Sequence, residues 1–159
     1  KANIHKIGIG ALLGLEDWRV ESFFTALHLD YLQRTYWKTK YSISFPRMRP
    51  AEGIIEPNVI VSDKNLVQLL TAYRIFNEDV ELSISTRESE KFRNNVIPLG
   101  VTSMSAGSKT NPGGYAVDVE SLEQFEISDE RSIEEMAKII QDAGYEPVFK
   151  DWDQQFIAQ

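Results

Sequence analysis

The sequence predicts an α/β fold, with a parallel sheet whose strands are joined by crossover helices. Three observations carry this expectation. Apolar periodicity switches between two and 3.6 repeatedly along the 159 residues, the signature of strands alternating with helices. Polar groups gather where four successive strands end, at Gly14–Asp17, Pro46–Arg49, Arg87–Glu88 and Ser105–Lys109, and in parallel α/β folds sites sit at those ends. The chain is also too short for a closed eightfold barrel, which takes about 250 residues. Two architectures stay open on these grounds: a small doubly wound domain, or four βα units forming half of a barrel.

The elements follow in order. Lys6–Leu13 reads as the first strand. Val20–Tyr36 reads as a helix, with Val20, Phe23, Phe24, Leu27 and Tyr31 on one face at helical spacing. Tyr41–Met48 is the second strand. Ser62–Phe76 is the second helix, with Leu66, Leu69, Leu70, Tyr73 and Phe76 as its stripe and Ser62 as N-cap. Val80–Thr86 is the third strand, Ser89–Asn95 a short helix, and Val101–Ala106 the fourth strand. Gly107–Arg131 is a loop rich in Gly, Pro, Ser and acids. Ser132–Ala143 is a helix opened by a Ser132–Glu135 capping box and stopped at Gly144. Tyr145–Asp151 reads as a closing strand or extended tail.

Composition removes several function classes. Hydrophobic residues make up 42% and charged residues 26% of the chain, a globular balance. The net charge is −7 with no block of Lys or Arg, so no nucleic-acid footprint is present. No apolar run reaches membrane-spanning length. There are no cysteines and 2 histidines, which leaves no disulfide, cysteine nucleophile, thiolate-held metal or histidine-rich metal site within these residues. A cytoplasmic location is expected. The abrupt start, KANIHKIGIGALLG, predicts a chain that begins inside a longer one.

The candidate site residues come from strand alternation. In Leu82–Arg87 the apolar Leu82 and Ile84 point one way, while Ser83, Ser85 and Arg87 point the other. A face of serines ending in arginine suits a polar cavity that holds an anion, because the guanidinium fork matches a carboxylate or phosphate. An ion pair between Arg87 and a nearby acid is the competing explanation. Ser103 and Ser105 share a face of the fourth strand and could donate to the same anion, or could simply be small residues packed in a barrel. Arg47 and Arg49 lie between Pro46 and Pro50. Strict alternation puts Arg47 on the face of Ile43 and Phe45, so a bend at Pro46 is needed to bring it into the mouth. Gly8, Gly10 and Gly14 end the first strand, where a ligand could approach the backbone closely; on this feature alone a tight strand-to-helix turn is the favoured explanation. The loop Lys109–Tyr115 could be a lid or a plain connection.

Taken together, GIGALLGLEDWR, HLDYLQRTYW, YSISFPRMRP, LSISTRE, SAGSKTNPGGY, LEQF and VFKDWD resemble successive blocks of one family: the radical-SAM tyrosine lyases of thiamine biosynthesis, the 2-iminoacetate synthases. The likeness covers essentially the whole chain. The later part, roughly 40–150, is similar to the domain associated with biotin and thiamin synthesis. The resemblance implies that residues 1–107 are the second half of a TIM-type radical-SAM barrel, and that 108–159 hold a loop, a capping helix and the tail. It implies a 4Fe-4S cluster and S-adenosylmethionine in the full-length enzyme, bound through a CxxxCxxC loop that this segment lacks. The reaction implied is cleavage of the L-tyrosine Cα–Cβ bond to 2-iminoacetate (dehydroglycine) and p-cresol.

Residue by residue, Gly10, Leu12 and Gly14 are similar to the family's block beside the nucleoside, with Asp17 standing where a Glu is usual. Arg87 matches an arginine that pairs with the substrate carboxylate in related lyases. Ser105 or Ser103 matches a polar group near it, and Arg47 lines the mouth. The tyrosine lyase of FeFe-hydrogenase maturation shares many of these blocks. A half-barrel anion-binding or interaction module is a further reading. The expected partners are the missing N-terminal half of the barrel and a thiazole synthase. The isolated segment is expected to be inert and to self-associate.

Overall fold

A computed structural model describes residues 4–48, 56–109 and 127–149. Four strands, β1 (Lys6–Gly10), β2 (Lys40–Ser44), β3 (Glu81–Ile84) and β4 (Ser103–Met104), form one sheet in the order β1-β2-β3-β4. Every pairing is parallel. The helices α1 (Trp18–Thr35), α2 (Asp63–Phe76) and α3 (Glu90–Val96) make the three crossovers, and α4 (Ile133–Asp142) follows β4. The protein is thus an α/β chain of βα units in sequential order, the arrangement of half a TIM-type barrel.

Cap chemistry explains where the helices start. The Asp17 carboxylate accepts from the Arg19 N–H, at 2.8 Å, and from that of Val20. Ser62 caps α2 and forms a reciprocal box with Asn65, and Ser89 caps α3. Ser132 and Glu135 form the expected box on α4. That helix ends at Gly144, which takes φ +86°, a conformation that costs glycine nothing.

The core lies between the sheet and α1–α3. Tyr41, Ile43 and Phe45 of β2 and Leu82 and Ile84 of β3 point into it, meeting Leu66, Leu69, Leu70 and Tyr73 of α2 and Phe92 and Val96 of α3. The α2 stripe is therefore as expected up to Tyr73; Phe76 is half exposed.

The first helix buries the face opposite its large apolar stripe. Its buried residues are Trp18, Ser22 and Leu29. The stripe Val20, Phe23, Phe24, Leu27 and Tyr31 points away from the sheet and is 49–63% exposed. Close packing against α2 decides the matter. The Tyr73 hydroxyl donates to the Ser22 carbonyl at 2.6 Å, and small Ser22 leaves room for that approach. Burial pushes the Tyr73 hydroxyl far above its ordinary range, so it stays a donor.

Candidate functional site

The other face of the sheet is polar. Register brings Gly10, Ser44, Ser83 and Ser103 into one row across the four strands. Side chains alternate along each strand, so Lys6, Gly8 and Gly10 of β1 share this face with Ser42 and Ser44 of β2. At its amino-terminal edge Lys6 Nζ reaches over β2 to Glu81 Oε2 at 2.6 Å. Towards the carboxyl edge of β3 come Ser85 and then Arg87, each half-buried, while Thr86 and Glu88 between and beyond them are buried on the core side. The alternation predicted for Leu82–Arg87 is therefore observed through to Glu88. The Arg87 main-chain N–H donates to Ser85 Oγ at 3.4 Å. Burial lowers the Arg87 pKa while the charge of Glu88 opposes that shift; the group stays a cation at any working pH.

Ser103 and Ser105 stand at the sheet edge. Ser105 N–H donates to the Ile84 carbonyl at 3.1 Å, so pairing runs past the short β4, and Ser105 lies level with Ser85. Both serines line a cavity of about 680 Å³ beside Ile133, Met136 and Ile140 of α4.

Arg47 is elsewhere. No bend at Pro46 intervenes: the parallel register of β1 and β2 runs on to a bridge between Leu13 and Arg47. Arg47 is consequently on the core side and 6% exposed. Its guanidinium grips Glu88 through two nitrogens, donates to the Val61 carbonyl at 2.9 Å and meets Asp63 at 2.8 Å. Burial alone would lower its pKa; Glu88 and Asp63 more than reverse this and the net shift is upward. The expectation that Arg47 lines the mouth is corrected: its donors are spent on two acids and a carbonyl behind the sheet. Arg49 and Tyr115 lie outside the described residues.

Gly10 has a packing reason of its own. A Cβ there would come within 1.9 Å of the Ser44 carbonyl oxygen, so the β2 backbone fills the space a side chain would need. Gly14 takes φ +124° and is buried against Met48 and Pro57. Leu12, two residues past Gly10 on the polar side, is 41% exposed and offers an apolar ledge. Asp17 is engaged as the α1 cap.

Two residues that the sequence reading passed over pair behind the carboxyl ends of β3 and β4. Arg93 of α3 and Asp129 are both fully buried and paired with each other. Burial alone would raise the Asp129 pKa. Hydrogen bonds from Arg131 and the charge of Arg93 outweigh it and hold the carboxyl below its ordinary 3.8. No local signal marks this pair, because its members are 36 positions apart.

The chain has no cysteine, and among the described residues no group of three His, Cys, Asp or Glu is placed to hold an ion. With no cysteine in the chain, these residues offer no thiolate set for a cluster.

This α/β chain belongs to the biotin and thiamin synthesis associated domain family, whose pattern matches residues 44–146. Among curated relatives, the 2-iminoacetate synthase of Escherichia coli (strain K12) is 51% identical over 154 residues, covering 96% of this chain and 41% of the relative. The 2-iminoacetate synthase of Salmonella typhimurium is 50% identical over the same shares. The chain thus spans about two fifths of the length of these relatives. Among solved structures, HydG, a maturase of the FeFe-hydrogenase, superposes with TM-score 0.78 at 37% identity over 89% of this chain and 31% of that one. The maturase HydG from Carboxydothermus hydrogenoformans gives TM-score 0.80 at 32% identity, over 97% of this chain and 36% of that one. Among the described residues, no helix is long and apolar enough to cross a membrane.

Proposed function

We propose that this chain is the carboxyl-terminal part of a radical-SAM tyrosine lyase that makes 2-iminoacetate for thiamine thiazole synthesis, with p-cresol as the second product. The observation that carries the reading is Arg87 at the end of a serine face, on the polar side of a parallel sheet and at its carboxyl edge. The half-identity to 2-iminoacetate synthases over nearly the whole chain supports it, and exceeds the identity to the hydrogenase maturases, which favours the thiamine enzyme over the maturation enzyme.

In this reading Arg87 takes the tyrosine carboxylate in its planar fork. Ser105 and Ser103 add hydroxyl donors near the same group. Gly10, Leu12 and Gly14 border the nucleoside, with Leu12 as the apolar surface for a base. When bound, the 4Fe-4S cluster and S-adenosylmethionine supply hydrogen-atom abstraction; the cluster ligands come from outside these residues. The work of this chain is to fix one orientation of the amino acid and to keep water away from a reactive species. The partners in this reading are the N-terminal half of the barrel, which closes the sheet, and a thiazole synthase that receives the product. The segment alone is inactive, and its two sheet edges make self-association the expected behaviour.

The test is anaerobic reconstitution of the full-length protein with iron, sulfide, S-adenosylmethionine, a reductant and L-tyrosine. Release of p-cresol together with 2-iminoacetate supports the reading. A reconstituted enzyme that leaves tyrosine intact, while Arg87 still binds a simple carboxylate, would replace it with an anion-binding module.

A further inference from the structure

The last main-chain bond between β3 and β4 among the described residues runs from Ser105 N–H to the Ile84 carbonyl. The two groups that matter most in the proposed site, Arg87 and the Ser105 side chain, stand at or beyond that point. Residues 128–131 hold both strand ends there. The N–H groups of Ser128 and Asp129 donate to the Thr86 carbonyl at 3.0 and 3.1 Å, fixing the residue before Arg87. The Asp129 carboxylate pairs with Arg93, whose other terminal nitrogen donates to the Ser105 carbonyl. Arg131 closes the arrangement: its Nε donates to Asp129 Oδ1 at 2.7 Å, and its carbonyl accepts from the Gly107 N–H at 3.2 Å.

Arg93 and Asp129 are each 0% exposed, and neither lies on the polar face. A buried ion pair is a poor way to gain stability, since apolar side chains of the same volume often do as well. What it does supply is direction: charge-assisted bonds aimed at particular carbonyls. We propose that Asp129 is a positioning residue of the site, which acts through Arg93 on Ser105 and through its own main chain on Arg87, and so sets the spacing of the two groups that receive the substrate carboxylate. This rests on the function proposed above. A bidentate clamp tolerates little displacement before it loses its ligand.

Asp129→Asn in the full-length protein keeps the side-chain size and the main-chain donors but removes the charge. L-tyrosine binding, measured by calorimetry, should weaken roughly 10-fold or more, while S-adenosylmethionine affinity holds. In an Arg87→Ala background the same change should cost clearly less than in the wild type, because the spacing of Ser105 against Arg87 then no longer matters. Leu66→Ala, a core truncation away from the mouth, should lower the melting temperature without moving tyrosine affinity, which separates positioning from general destabilisation. Wild-type tyrosine affinity in Asp129→Asn, or a loss fully additive with Arg87→Ala, would overturn the proposal. Should Asp129→Asn not fold, Arg131→Gln must show the same change in smaller degree. A wild-type protein that binds no tyrosine would refute the functional reading instead. Amide exchange of the ligand-free protein then decides the positioning claim. Asp129→Asn should open the Ser105, Ser128 and Asp129 amides and leave those of β1 and β2 protected; unchanged exchange would refute it.

Discussion

Arg47 and Arg87 end neighbouring strands of one sheet and point to opposite faces of it. Arg47 is 6% exposed on the core side and bonded to Glu88, the residue that follows Arg87; Arg87 lies on the polar face. Two arginines that look alike in sequence therefore differ in place, one joining the strand ends from behind and one on the polar face, where the proposed function puts the substrate carboxylate.

Removing Arg47 takes two donors from a buried carboxylate, since the Glu88 side chain is 3% exposed. Arg47→Ala should cost about 3–5 kcal/mol. The double change Arg47→Met, Glu88→Leu should recover most of that loss. Urea unfolding of the single and double variants measures both. A single variant as stable as the wild type would remove the pair from the account.

The two faces of α1 should respond differently. Leu29 is fully buried, and Leu29→Ala should cost about 3 kcal/mol. Phe24 is 63% exposed, and Phe24→Ser in this chain should shift stability by no more than about 0.5 kcal/mol. Paired denaturation curves test the assignment, and a large loss at Phe24 would reverse it.

Gly10 cannot take a side chain without moving β2. Gly10→Ala should destabilise by about 3 kcal/mol, with the loss visible in unfolding before any ligand is added. A neutral effect would return Gly10 to the ligand-approach explanation alone.

Asp129 gives the fold an acid limb. Its pKa is lowered on folding, below the ordinary 3.8, so the unfolded chain binds the proton more readily. The stabilisation is complete above about pH 4 and is lost as pH falls through the lowered folded value. Asp129→Asn should flatten that limb while lowering stability at neutral pH. Urea midpoints between about pH 2.5 and 7 measure it; an unchanged acid limb would mean that other carboxylates set it.

Much of this was legible from local pattern. The four strands, the caps at Ser62 and Ser132, the stop at Gly144 and the serine face of β3 all follow from spacing over a few residues, where covalent geometry dictates which side chains share a face. Spacing put the large apolar stripe of α1 on one face but could not say that this face points outward, since Ser22 is buried by its contact with Tyr73, a residue 51 positions away. Alternation already assigned Arg47 to the core face; what sequence could not supply was its partner Glu88, 41 positions on. Arg93 and Asp129 carry no local signature at all, since a buried ion pair between distant segments exists only once the sheet has formed.

The most direct measurement is Arg87→Ala in the reconstituted full-length enzyme, with p-cresol release and S-adenosylmethionine affinity read on the same preparation. The account predicts a fall in p-cresol of about 100-fold or more with S-adenosylmethionine affinity unchanged. Release of p-cresol at the wild-type rate would contradict it, because the serine face would then end in an arginine that holds nothing the reaction needs.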